Sequence, residues 1–145
     1  MSAEPARRPG DEQYPPNFHR PALELLHRLG GDKLLVDIID VFTTSAPRLI
    51  VAARAGADEG DGDRVRLALH SLKSSAGQLG AARMQRLCGE GELVAASCAG
   101  PALSRIVDGV SNAYAEVLPC FDAVKRTGLA GIRAAPHVDT TASLR

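Results

Sequence analysis

His70, Lys73, Ser74 and Gly77 stand at i, i+3, i+4 and i+7, the spacing of one face of a helix. The apolar residues of the same stretch, Val65, Leu69, Leu72, Ala76 and Leu79, stand at i, i+4, i+7, i+11 and i+14. On a wheel of about 100° per residue the two stripes are turned roughly 140° apart, so the histidine is expected to face solvent beside a lysine and small residues. A free imidazole has a pKa near ~6.5, so at neutral pH it is mostly uncharged with one ring nitrogen unprotonated. That nitrogen is a competent nucleophile toward an activated phosphoryl group. The product would carry close to two negative charges, which Lys73 could offset, an exposed pair of this kind being worth about 1 kcal/mol or less. Ser74 and Gly77 keep the surface low enough for a partner's active site to reach the ring. Transfer of this kind asks for in-line positioning and charge neutralisation, provided the partner brings a metal.

Other chemistries find less support. A serine activated by Lys73 lacks an acid partner and any oxyanion-hole motif. No second histidine has a spacing that would pair with His70 on a metal. His27 lies in a short amphipathic helix and His19 and His137 in loop or tail, so all three read as solvated surface. There is no P-loop, no Gly-rich nucleotide fingerprint and no kinase motif.

The helix that must hold His70 is expected from about Gly62 to Leu79, with Asp61 as N-cap and Gly80 as its C-terminal stop. Ahead of it, Pro21 opens a short helix through Leu29, with Leu25, Leu26 and Leu29 at helical spacing. Gly30-Gly31 ends that helix and Asp32 is placed to cap the next, which buries Leu35, Ile38, Ile39 and Phe42. Pro47 either kinks this helix or starts a new one, and Gly56 with the run Asp58 to Asp63 forms a turn. A further helix from about Ala82 to Ala99 places Met84, Leu87, Cys88, Val94 (or Ala95) and Cys98 on one side. Gly89 and Gly91 weaken it by up to about 1 kcal/mol each. Pro101 opens the last helix, with Leu103, Ile106, Val110, Tyr114, Val117, Phe121 and Val124 inward and Pro119 bending or fraying its end. The expected architecture is all-α, an antiparallel four-helix bundle with a short additional N-terminal helix. It should span residues 17–128, between a disordered segment 1–16 and a disordered tail 129–145.

The 145 residues suffice for one domain with a modest core. Aromatic residues make up 3% with no Trp, so that core must be Leu, Val, Ile and Ala, which helices pack most readily. Seventeen basic residues balance seventeen acidic ones, leaving no overall field to draw nucleic acid or anionic lipid. No apolar run could span a bilayer and the N-terminus has no signal-peptide pattern, so the chain reads as cytoplasmic. Cys88, Cys98 and Cys120 show no CxxC spacing and are odd in number, which points to small core residues rather than a disulfide or zinc site.

The run His70-Ser71-Leu72-Lys73-Ser74-Ser75-Ala76-Gly77-Gln78-Leu79-Gly80-Ala81 resembles the H-x-L-K-[GS]-S-x-x-x-L-G-A signature of histidine-containing phosphotransfer (HPt) domains. Leu29-Gly30-Gly31-Asp32, Phe42 with Pro47, Asp61 nine residues before the histidine, and Leu87-Cys88 followed by Glu92 are similar to the family's surrounding pattern. The resemblance covers about Leu23 to Val124. It implies a non-enzymatic phosphocarrier whose His70 accepts a phosphoryl group from a receiver-domain aspartate and passes it to another receiver. By the same resemblance Lys73 is the cation near the phosphoryl group, Ser74, Gly77 and Gln78 line the docking surface, and Glu92 faces the histidine from the neighbouring helix. The implied partners are a response-regulator receiver domain and a hybrid sensor histidine kinase, with no cofactor on this chain and Mg2+ on the partner receiver domain. A monomeric, stand-alone carrier is expected, with no nucleic acid and no membrane as partner. The alternative is an adaptor or inhibitor that docks receiver or kinase domains without carrying phosphate. Two positions depart from the family pattern. Ser74 stands where glycine is common, and should narrow access or add a hydrogen bond; Gly91 replaces the usual leucine, and should loosen the packing below Glu92.

Overall fold

A computed structural model describes residues 18–97 and 100–131. Four helices account for most of them: α1 (Arg20–Glu59), α2 (Gly62–Gln78), α3 (Ala82–Val94) and α4 (Pro101–Thr127). A 3-10 turn, Leu129–Gly131, follows. Each helix packs on its neighbours in a closed ring, α1 on α2 and α4, and α3 on α2 and α4. Side-chain pairings show that the neighbours run antiparallel: Asp40 meets Lys125 and Arg54 meets Asp108 between α1 and α4. The expected antiparallel bundle is therefore present. Among the described residues no helix is long and apolar enough to cross a membrane.

The short N-terminal helix is the first leg of α1. At Gly31 the chain leaves helical dihedrals (φ 69°, ψ −164°), a left-handed φ that glycine adopts without a Cβ penalty, and resumes at once. The first leg touches the bundle through Leu23 and Leu26; Leu25 and Leu29, at helical spacing with Leu26, are 51% and 71% exposed. Asp32 does not cap its own helix. Its carboxylate accepts the Leu129 N–H at 3.0 Å and lies 3.2 Å from His27 Nε2, so it ties the kink to the end of α4. Residues 1–17 and 132–145, with His137, lie outside the described residues, and with them the segment expected over 1–16 and all but the first three residues of the tail expected over 129–145.

Neither internal proline breaks its helix. Pro47 and Pro119 sit on exposed positions of continuous helices, so each removes one backbone hydrogen bond where water can replace it. The turn after α1 is shorter than expected, Gly60-Asp61 alone, because Gly56 is still helical and buried against Val65. Helix α3 ends at Val94, short of the expected Ala99; Cys98 lies outside the described residues.

The core is aliphatic, as the composition requires. Leu35, Ile39, Leu69, Leu72, Val107 and Val110 are fully buried, and no polar or charged side chain among the described residues is buried with them. Phe42 contributes the main aromatic contacts, edge-on to both Tyr114 and Phe121 at 5.7 Å between ring centroids. Val107 and Ala113, absent from the expected α4 stripe, are also inside. Cys88 and Cys120 are both buried, as expected of small core residues.

Candidate functional site

Helix α2 is held at both ends and along one face. Asp61 caps it, its Oδ1 accepting the Arg64 N–H at 3.1 Å. At the other end Gly80 takes φ +76°, and its carbonyl accepts the His19 N–H at 2.7 Å, joining α2 to the segment ahead of α1. A Cβ at Gly80 would stand 2.3 Å from the His19 carbonyl oxygen, so only glycine closes this junction. Val65, Leu69, Leu72, Ala76 and Leu79 are all fully buried, as the apolar stripe predicts.

The opposite stripe reaches the surface beside α3. His70 is the more open member, its side chain 62% exposed. Its Nδ1 lies 2.6 Å from Glu92 Oε1, and Lys73 Nζ donates to Glu92 Oε2, also at 2.6 Å. One carboxylate thus bridges the histidine and the lysine. Glu92 itself is 17% exposed, and the Lys73 ammonium, with a further contribution from His70, holds its carboxyl below the usual carboxylate range against the opposing effect of burial. An ionised carboxylate can only accept hydrogen bonds, so the proton between them belongs to His70 Nδ1. In the neutral ring that leaves the lone pair on Nε2, the nitrogen turned away from Glu92.

Small residues make this arrangement possible. Along the α2–α3 groove the facing pairs are His70 with Glu92, Lys73 with Gly89, and Gly77 with Gln85. A Cβ at Gly89 would lie 3.5 Å from Lys73 Cδ, so any longer side chain would meet the lysine stem that reaches across to Glu92. Gly91 corrects an expectation. A Cβ there would stand 2.5 Å from Ile106 Cγ2 and 2.6 Å from Leu69 Cδ1, so these two side chains already occupy the space a leucine would have filled. The packing below Glu92 is closed, and α3 seats directly against α2 and α4.

Ser74, Gly77 and Gln78 line a shallow depression that continues from Lys73 along α2, together with Ser75 and Gln85. Every residue predicted for the site therefore lies on one surface: His70, Lys73 and Glu92 in direct contact, the other three adjoining. Gln85 was not among them. It stands at i, with Gly89 at i+4 and Glu92 at i+7, so the α3 stripe that faces α2 could have been extended to it from the sequence. Beneath the network the Cys88 thiol is pushed up to about 12, first by burial and then by the Glu92 charge, and is not a nucleophile. Lys73, held as a donor to Glu92, is not placed to deprotonate a serine. Among the described residues no three His, Cys, Asp or Glu side chains group closely enough to hold a metal ion.

The chain matches the family model of the Hpt domain over residues 37–119, more than half its length and inclusive of His70, Lys73, Gln85 and Glu92. No curated protein and no solved structure matches it. With the helical bundle and a matching span that holds the whole His70 surface, the chain belongs to the Hpt domain family, the phosphocarrier modules of two-component phosphorelays.

Proposed function

We propose that this protein is a phosphorelay intermediate: His70 accepts a phosphoryl group from the aspartyl phosphate of one receiver domain and delivers it to another. The observation that carries the proposal is the Glu92 carboxylate on His70 Nδ1, which leaves Nε2 exposed with its lone pair free. In the transfer, the Nε2 lone pair forms the new N–P bond as the P–O bond to the receiver aspartate breaks, and the aspartate leaves as a carboxylate. The ring keeps its Nδ1 proton and becomes positively charged, 2.6 Å from the Glu92 carboxylate that stabilises it. Lys73 supplies a fixed positive charge one turn along α2, offsetting the incoming phosphoryl oxygens. Return transfer to a second receiver reverses these steps, the imidazole then being the leaving group.

In this role the chain has no kinase activity of its own. It takes phosphate from a receiver domain, such as that of a hybrid sensor kinase, and gives it to a response regulator. Mg2+ belongs to the receiver's site, and the carrier works as a cytoplasmic monomer. Ser74, Gly77 and Gln78 form the floor on which the receiver rests. The test is to mix the chain with a receiver domain labelled on its aspartate and follow the label. Wild type should take it up and His70→Gln should take none. Equal labelling of the two would refute the proposal, and receiver binding without any labelling would establish the adaptor alternative instead.

A further inference from the structure

Gln85 projects from α3 into the groove, two helical turns along from the His70–Glu92 contact. A Cβ at Gly77 would lie 2.4 Å from its Nε2 and 2.8 Å from its Cδ, so the side-chain amide is laid directly over the bare backbone of Gly77. Gln85 is exposed, and its amide makes no hydrogen bond to any described residue. It also stands between two depressions. One runs toward His70 past Lys73, Ser74 and Gln78; the other runs toward Phe18 and His19 at the end of the bundle. Packing therefore seats this amide while leaving its donor and acceptor both unused.

We infer that Gln85 is a specificity-determining residue for the receiver domain: seated on Gly77, its amide hydrogen-bonds the docked partner and sets affinity without entering the chemistry. The distance supports this. Seven residues of helix separate Gly77 from His70, about 10 Å along the axis. A protein interface of standard size covers about 800 Å2 per partner, a patch of roughly 16 Å radius. Any receiver centred on His70 thus covers Gln85 as well. A buried interface amide left without a partner is costly, so a receiver that offers a complementary peptide or side-chain group is favoured over one that does not.

This inference rests on the phosphorelay reading, and one experiment separates their failures. The full chain is titrated with the receiver domain of the same genome that labels wild type fastest, phosphorylated with acetyl phosphate. Transfer rate is measured against receiver concentration. Gln85→Ala should raise the half-saturating concentration about five- to tenfold, the loss of one hydrogen bond, with the rate at saturation unchanged. Unshifted half-saturation in Gln85→Ala, or a loss confined to the saturated rate, would each overturn the inference while wild-type transfer stands. Absence of transfer in wild type overturns the phosphorelay reading and this inference together.

Discussion

A histidine on a helix surface is nucleophilic at whichever nitrogen its surroundings leave bare, and here Glu92 makes that choice. Removing the charge while keeping the shape isolates its effect. In Glu92→Gln the amide oxygen can still accept from Nδ1–H, but the positive ring formed on attack loses its counter-charge and Lys73 loses its anchor. Transfer from a phosphorylated receiver should slow by about ten- to hundredfold, the range of a hydrogen bond to a charged group, and a rapid-quench time course would show it. The same carboxylate gives a pH dependence. Its pKa is lowered by folding, so its contribution to stability is complete above the ordinary carboxylate value of 4.5 and is lost as pH falls through the folded value. As pH falls below about 4.5, wild type should lose unfolding free energy more steeply than Glu92→Gln in denaturant titrations. Much of this was legible beforehand. His70 and Lys73 declare themselves by spacing, and Glu92 follows from the family pattern. The direct bridge was not, because it depends on the relative register of α2 and α3, which no periodicity within one helix encodes.

Helix α2 is a rigid platform because its ends are fixed by different devices. Asp61→Ala should cost about 1 kcal/mol of stability and speed amide exchange in the first turn of α2, with phosphotransfer unaffected. Gly80→Ala should be worse, by about 2 kcal/mol or more, since it adds left-handed strain to a backbone clash with His19; a thermal melt reads the loss as a lower Tm. Both caps were visible as Asp and Gly at the right offsets from the apolar stripe. Gly91 was visible only as a weakness in α3, since helix propensity sees the missing side chain and not the neighbours that fill its place. Gly91→Ala gains helix propensity yet should destabilise by about 1–2 kcal/mol, because Leu69 and Ile106 must both give way in a packed interior. The spacing of Leu25, Leu26 and Leu29 marks a helix without saying which of them is buried: Leu26 meets the bundle, and Leu25 and Leu29 are exposed.

At the scale of the molecule, an aliphatic core in an antiparallel ring leaves chemistry to the surface. The two described cysteines belong to that core. Burial raises the thiols of Cys88 and Cys120, the first to about 12, so neither should react with iodoacetamide at about pH 8 until denaturant opens the bundle, as peptide mapping would show. The bundle fold itself follows from composition and the apolar stripes, whereas the joining of its two ends through Asp32 and Leu129 links positions far apart in sequence that no local pattern connects. What the whole assembly presents is an exposed histidine, His70, whose Nδ1 is engaged by Glu92 and whose Nε2 is the nitrogen that the proposed phosphotransfer would use. The most direct test is a long-range proton–nitrogen NMR spectrum of the chain after phosphorylation by a receiver domain. The expected result is one phosphohistidine, modified at Nε2 with Nδ1 protonated, that disappears in His70→Gln. Phosphate on Nδ1, on another residue, or equally present in His70→Gln would contradict it.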